Sequence, residues 1–330
     1  MSDDLRHGGA LYAMREAFPE APTPWIDLST GINPFAYPDT ATSRSSTIEL
    51  PARELIDRCT KAMATALGAP QSHLLLAPGS ELLIRLLPTI LTPRSVAILT
   101  PSYGDHGEVW RAAGCRVIEA ADPLVYAEEV DAIVVCNPNN PDGRCFSAGE
   151  LHAARVALAK RDGWLIVDEA YADLDPTLSL ARAAGEAGLV ILRSFGKFYG
   201  LAGVRLGALL APAPLLKAMS ERLGAWPVSG VALELGARAY ADLSWQRDTR
   251  ARLARSRERL TGILTENGLE AGRGTDLFAY ACVADANELW QRLAKAGVYV
   301  RRFSWSQAHV RIGLPPDRIA EERLARALCD

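Results

Sequence analysis

No stretch of this chain approaches the ~18 consecutive apolar residues that a membrane-spanning helix requires. Aromatic residues make up only 7% of it, and its five histidines (His7, His73, His106, His152 and His309) show no H-E-x-x-H spacing. The six cysteines are Cys59, Cys115, Cys136, Cys145, Cys282 and Cys329, with no C-x-x-C pair. Cys115 and Cys136 lie in apolar, strand-like runs, so burial as small hydrophobes is expected ahead of disulfides or metal ligation. An excess of one charge is missing too: 36 Lys and Arg against 39 Asp and Glu leave a formal net charge of −3. That balance gives no electrostatic basis for nucleic acid or an anionic membrane as the main partner. The polar, acidic opening from Met1 to His7 resembles neither a signal nor a transit peptide, so a cytoplasmic, reducing location is expected. What is present is an ordinary globular composition: 330 residues, 49% hydrophobic, excluding disorder and collagen-like repeats.

Turn signals crowd the first ~50 residues (Gly8, Gly9, Pro19, Pro22, Pro24, Gly31, Pro34, Pro38), which read as an irregular arm, residues 1–50. From 51 to 212 short apolar runs alternate with amphipathic stretches such as Leu82–Leu91 and Ala148–Lys160. The runs Val96–Thr100, Arg116–Ala120, Ala132–Cys136, Trp164–Asp168, Leu189–Arg193 and Leu206–Leu210 fit strands buried on both faces. Such alternation predicts an α/β domain with a mostly parallel sheet flanked by helices. The style changes near 213. Ser229–Glu266 reads as long helix with breaks, followed by strands at Leu277–Val283, Val298–Arg302 and His309–Leu314. Helices at Ala286–Ala296 and from Asp317 complete a smaller α+β domain over 213–330.

Several segments carry chemistry. After the strand ending at Arg193 come Ser194, Lys197 and Arg205 on a loop loosened by Gly196, Gly200, Gly203 and Gly207. Together they can address one phosphate-bearing ligand, although no G-x-x-x-x-G-K-[ST] motif is present. Asp168 ends a buried strand in Val167-Asp168-Glu169-Ala170-Tyr171, where open α/β sheets place ligands. Alone, it could be a metal ligand, a helix cap or a general base. Asn137-Pro138-Asn139-Asn140-Pro141-Asp142-Gly143 is by itself a turn. Pro78-Gly79-Ser80-Glu81 opens a helix whose free amides suit a phosphate or simply a cap. Tyr103 lies just past another strand end.

Taken in this order, the segments resemble the fold-type-I pyridoxal-phosphate enzymes, in the branch holding histidinol-phosphate aminotransferase and threonine-phosphate decarboxylase. The likeness runs from Gly31-Ile32-Asn33-Pro34 to Arg311. It implies pyridoxal 5′-phosphate joined covalently to Lys197, with Asp168 on the pyridine nitrogen and Tyr171 and Asn140 on the ring's 3′ oxygen. Tyr103 would stack on the ring, and Ser80, Glu81, Ser194 and Arg205 would cup the phosphate, the first two mainly through backbone N–H groups. Arg311 would grip the substrate carboxylate. Leu50-Pro51 stands where relatives often carry a Tyr-Pro pair that serves the neighbouring subunit, and a homodimer is still implied.

The segments His7-Gly8-Gly9 and Trp25 to Pro34 look more like the threonine-phosphate decarboxylases of cobalamin biosynthesis than like the aminotransferases. That likeness implies an amino acid phosphate as substrate, with His7, Asn33 and Arg301 near its phosphate; Arg302 competes with Arg301 for the role. Transamination of histidinol phosphate is the second reading, and a non-catalytic scaffold the third.

Overall fold

The computed structural model describes residues 8–38 and 42–329. It divides into two compact units. The larger takes residues 36–140 and 144–246; the smaller takes the chain up to Phe35, Pro141–Gly143 and the chain from Arg247 onward. Numbered along the chain, α1 (Leu11–Ala17) and β1 (Ile26–Leu28) come first and belong to the smaller unit.

The larger unit continues with α2 (Ser45–Ile48), α3 (Arg53–Leu67), β2 (Leu74–Ala77), α4 (Ser80–Leu91), β3 (Ser95–Leu99), α5 (Gly104–Ala112) and β4 (Arg116–Ala120). Then come β5 (Ala132–Cys136), α6 (Ala148–Ala159), β6 (Trp164–Asp168), β7 (Leu189–Ser194), β8 (Gly207–Leu210), α7 (Ala213–Leu223) and α8 (Gly230–Ala241). Its seven-stranded sheet has the order β2-β8-β7-β6-β5-β3-β4. All neighbours pair in parallel except β8, which runs antiparallel to both β2 and β7. The continuous apolar runs of β3, β5, β6 and β7 are buried because helices cover both faces, as a parallel sheet requires. Leu83, Ile84 and Leu87 of α4 and Trp110 of α5 pack with Val96, Ile98, Ile166, Val190 and Leu192 in one core cluster. In-register pairing (Cys136 with Asp168, Asp168 with Leu192) brings the carboxyl ends of the parallel strands to one edge. The chemistry-bearing segments after 99, 136, 168 and 194 therefore gather there.

The smaller unit holds β9 (Glu270–Thr275), β10 (Phe278–Cys282), α10 (Ala286–Lys295), β11 (Val298–Phe303), β12 (Ser306–Gly313) and α11 (Arg318–Cys329). Its sheet has the order β1-β11-β12-β10-β9, antiparallel except for β1 against β11. Asp285 caps α10 by accepting from the amides of Asn287 and Glu288, and the helix buries Leu289, Trp290 and Leu293.

Two expectations need correction. The opening segment is not an arm throughout. β1 is a strand of the smaller sheet, and glycines admit its flanks: a Cβ at Gly297 would meet Pro22 O at 2.4 Å, and one at Gly313 would meet Thr30 O at 2.6 Å. The boundary lies inside α9 (Leu243–Glu266), at residue 246 rather than 212. The change of composition near 213 ends the strand–helix alternation, but α8 still packs on α3, closely enough that a Cβ at Gly236 would meet Cys59 Sγ at 2.9 Å. The strands β2 and β9 were not legible, being a short run behind a turn and a glycine-containing, half-exposed edge. Finally, Cys59 and Cys136 are buried and Cys115 half-buried, whereas Cys145, Cys282 and Cys329 are exposed.

Candidate active site

At the carboxyl edge of the large sheet, Asp168 is 5% exposed. Its Oδ2 lies 3.1 Å from His106 Nε2 and its Oδ1 accepts from the Ala170 amide at 3.1 Å. Cys136 Sγ stands 3.9 Å from the same Oδ2. Sequence reading did not single out His106. The signal available was its position three residues after Tyr103 in the first turn of α5, and the two rings meet edge to face at 6.0 Å. Burial works against a charged imidazole at His106, but the contacts with Cys136 and Asp168 overcome it and raise its pKa to about 10. His106, Cys136 and Asp168 place their ligating atoms within 4.8 Å of one another, the one group among the described residues that could hold a metal ion by that measure.

The loop after β5 uses its asparagines unequally. Asn137 exchanges hydrogen bonds with the backbone of Phe146, at 2.8 and 3.1 Å. Asn139 donates to Pro101 O at 2.9 Å and accepts from Ser102 Oγ at 2.9 Å. Both are buried and committed to holding the loop, while Asn140 stands half-buried at its turn. Tyr171 is buried just beyond Asp168. The Tyr103 hydroxyl donates to Glu81 Oε2 at 3.0 Å, and burial, together with that carboxylate, pushes its pKa up.

Gly79 (φ 86°) is the N-cap of α4, and no side chain caps the helix. Its first amides, from Ser80 on, are therefore left for an outside acceptor. The Glu81 carboxylate is turned instead to Tyr103 and to Arg85, whose Nε is 2.7 Å away. Arg205, itself left-handed (φ 57°), reaches across so that a Cβ at Gly79 would meet its Nη2 at 2.7 Å. A Cβ at Gly207 would meet Ser80 N at 2.8 Å, and Gly207 pairs with Ser194 across β7 and β8. Ser80, Ser194 and Arg205 thus converge on one cationic, amide-lined cradle. Lys197, half-buried in the turn after β7, makes no side-chain hydrogen bond or ion pair among the described residues.

The smaller unit holds the remaining candidates. Arg311 is buried on β12, donates from Nη2 to Ser29 O at 2.7 Å and stacks over Phe278 at 5.1 Å. Arg301 on β11 lies directly opposite Arg311 in register, so both occupy one sheet face. Arg302 faces the other way, over Trp290 and 2.6 Å from Asn287 Oδ1. Asn33 is buried, its Oδ1 accepting from the Phe35 amide at 2.8 Å. His7 lies outside the described residues; its neighbour Gly8 abuts Ser29 so closely that a Cβ there would meet Ser29 O at 2.5 Å.

Residues 23–328 match the family profile "Aminotransferase class I and II". A threonine-phosphate decarboxylase from Pseudomonas aeruginosa is 38% identical over 98% of this chain and 97% of its own. Another, from Sinorhizobium sp., is 38% identical over 99% of this chain and 98% of its own. A solved histidinol-phosphate aminotransferase from Sinorhizobium meliloti, in complex with pyridoxal-5′-phosphate, shares the fold with a TM-score of 0.82 at 19% identity, over 96% of this chain and 93% of that one. The residues of the large unit suit that cofactor. The cradle at Gly79 and Gly207, which any side chain would fill, has room for its phosphate, and the buried Asp168 carboxylate and the amine of Lys197 are the groups that would serve its ring nitrogen and its aldehyde.

Proposed function

We propose that this chain, which belongs to the aminotransferase class I and II family, is a pyridoxal-phosphate-dependent decarboxylase of L-threonine O-3-phosphate, releasing CO2 and (R)-1-amino-2-propanol O-2-phosphate. The observation that carries the reading is the cross-strand pair of Arg301 and Arg311. Guanidinium groups suit carboxylate and phosphate alike, through paired N–H donors. Threonine phosphate carries a carboxylate and a phosphate on adjacent carbons, matching two adjacent cations; histidinol phosphate has no carboxylate. The name of the two relatives at 38% identity supports the same substrate.

Bound at Lys197, pyridoxal phosphate supplies the electron sink that accepts the pair left when the bond from Cα to the carboxylate breaks. The protein's part is to place that bond. Asp168, beside His106 Nε2 and accepting from the Ala170 amide, would hold the proton on the ring nitrogen. Tyr103 would cover the ring face, and Asn140 and Tyr171 would hold its 3′ oxygen. Ser80, Ser194, Arg205 and the amide of Glu81 would anchor the phosphate. Arg311 would take the substrate carboxylate and Arg301, with His7 and Asn33, the substrate phosphate; holding both groups would select which bond at Cα breaks. Lys197 Nζ or a water would return a proton to Cα after CO2 leaves.

No helix among the described residues is long and apolar enough to cross a membrane, and our reading is a cytoplasmic homodimer. Ile48 and Leu50, both about two-thirds exposed beside α2, support a subunit contact there. Incubating the holoenzyme with threonine phosphate and measuring CO2 tests the activity. Glutamate formed from histidinol phosphate and 2-oxoglutarate in the reverse direction has no place in this scheme; amino transfer between that pair, without CO2 from threonine phosphate, reverses the assignment to aminotransferase.

A further inference from the structure

One buried ionic cluster takes no part in the chemistry above. Arg193, the penultimate residue of β7, is 1% exposed, and Glu169, directly after Asp168, is fully buried. Arg193 Nη1 donates to Glu169 Oε2 at 2.8 Å, and Nη2 donates to Asp173 Oδ1. Glu169 is held from its other side: Oε1 accepts from the Leu180 amide at 2.7 Å, and Oε2 accepts from Ser179 Oγ. All five residues belong to the large unit.

The position of the cluster is its significance. The ladder between β6 and β7 closes at Asp168 opposite Leu192. Beyond it β6 gives way to the turn carrying Tyr171, while β7 runs on against β8 as far as Ser194 before the turn carrying Lys197. Glu169 and Arg193 are the next residue on each side; the Glu169 amide still donates to Leu192 O at 2.9 Å, and the ion pair is the first side-chain tie past the end of the ladder. The planar fork of Arg193 grips two carboxylates of a single turn, Glu169 and Asp173, which fixes direction as well as distance. As a source of net stability such a pair is poor, because desolvation offsets most of the attraction. Its effect is geometric.

We propose that Arg193, with Glu169 and Asp173, is a positioning clamp that sets the separation between the Asp168 carboxylate and the turn bearing Lys197. The clamp touches neither group. It acts through one covalent step on each strand: Glu169 to Asp168, and Arg193 to Ser194. Loosening it lets the ring-nitrogen partner and the covalent anchor drift relative to each other while the strands stay paired. The inference rests on the assignment of Lys197 and Asp168 to the cofactor.

The test compares wild type with Arg193→Lys, which keeps the charge but loses the fork, and with the near-isosteric Glu169→Gln. Each is stripped of cofactor, checked for folding by circular dichroism, and titrated with pyridoxal phosphate. The clamp predicts folded variants in which the cofactor dissociation constant rises about tenfold or more and kcat falls by ~10²-fold with KM little changed. It also predicts a displaced midpoint in the pH titration of the bound cofactor's absorbance, a readout that a purely structural pair would leave in place. Variants that melt earlier yet keep the dissociation constant, midpoint and kcat within about twofold of wild type would overturn the clamp and leave the Lys197 assignment intact. Two variants that fail to fold overturn it as well, since the cluster would then be a requirement of folding. Wild type without a bound-cofactor absorbance removes the Lys197 assignment itself, and the clamp with it.

Discussion

Asp168 and His106 face each other at 3.1 Å, both withdrawn from water, and this pair gives the site its most direct pH signature. The folded pKa of His106, about 10, lies above its ordinary 6.5. Its contribution to stability is therefore complete below about 6.5 and is lost as pH rises through about 10. Urea melts of the cofactor-free protein at a series of pH values should show stability falling across that window, with a shallower fall in His106→Asn. Lys197→Ala should abolish both the bound-cofactor absorbance and CO2 release, and turnover at the wild-type rate would refute the lysine's role. Arg311→Ala should weaken substrate binding by ~2–5 kcal/mol, as expected for a buried, charge-paired contact, while the cofactor absorbance stays. Loss of the absorbance instead would mean that this arginine serves the cofactor. Lys197 and Arg205 were legible as candidates because they share one short glycine-rich loop, and Asp168 because it ends a buried strand; their cofactor roles came from the family resemblance. His106 was not, because its meaning is a distance of 3.1 Å to a residue 62 positions away.

Among the elements, the amino end of α4 depends on two glycines for its shape. Gly79 adopts φ 86° against Arg205, and Gly207 leaves room for the Ser80 amide. Gly79→Ala should strain the left-handed backbone and push Arg205 aside. The expected result is a cofactor dissociation constant raised by about tenfold or more, read by spectroscopic titration, with a loss of stability of about 1–3 kcal/mol. An unchanged dissociation constant would show that the cradle tolerates a methyl group and does not bind phosphate this closely. At this scale the buried strands β5, β6 and β7 announced themselves as unbroken apolar runs, each buried on both faces. The edge strand β9 did not, since half of it faces water and Gly272 and Gly274 dilute its pattern.

At the scale of the whole molecule, the opening of the chain is the point where reading and structure part. Residues 26–28 complete the five-stranded sheet of the smaller unit through parallel pairing with β11. A chain starting at Ala36 should therefore leave β11 as a bare edge and lose the Ser29 carbonyl that accepts from Arg311. Calorimetry should find the smaller unit's transition lowered or absent, whereas removal of a mere arm would leave it unchanged. The sequence by itself determined the α/β class and the order of the strands' buried runs, because these depend on local periodicity, and it offered Ser194, Lys197, Arg205 and Asp168 as candidates whose cofactor roles come from the family resemblance. Only the tertiary structure decided that β1 joins a sheet some 270 residues downstream, that Arg301 rather than Arg302 shares a face with Arg311, and that Arg193 ties two strand ends together. Each of these is a pairing between distant segments, fixed by register and burial, and neither register nor burial is written in the local pattern of a single strand.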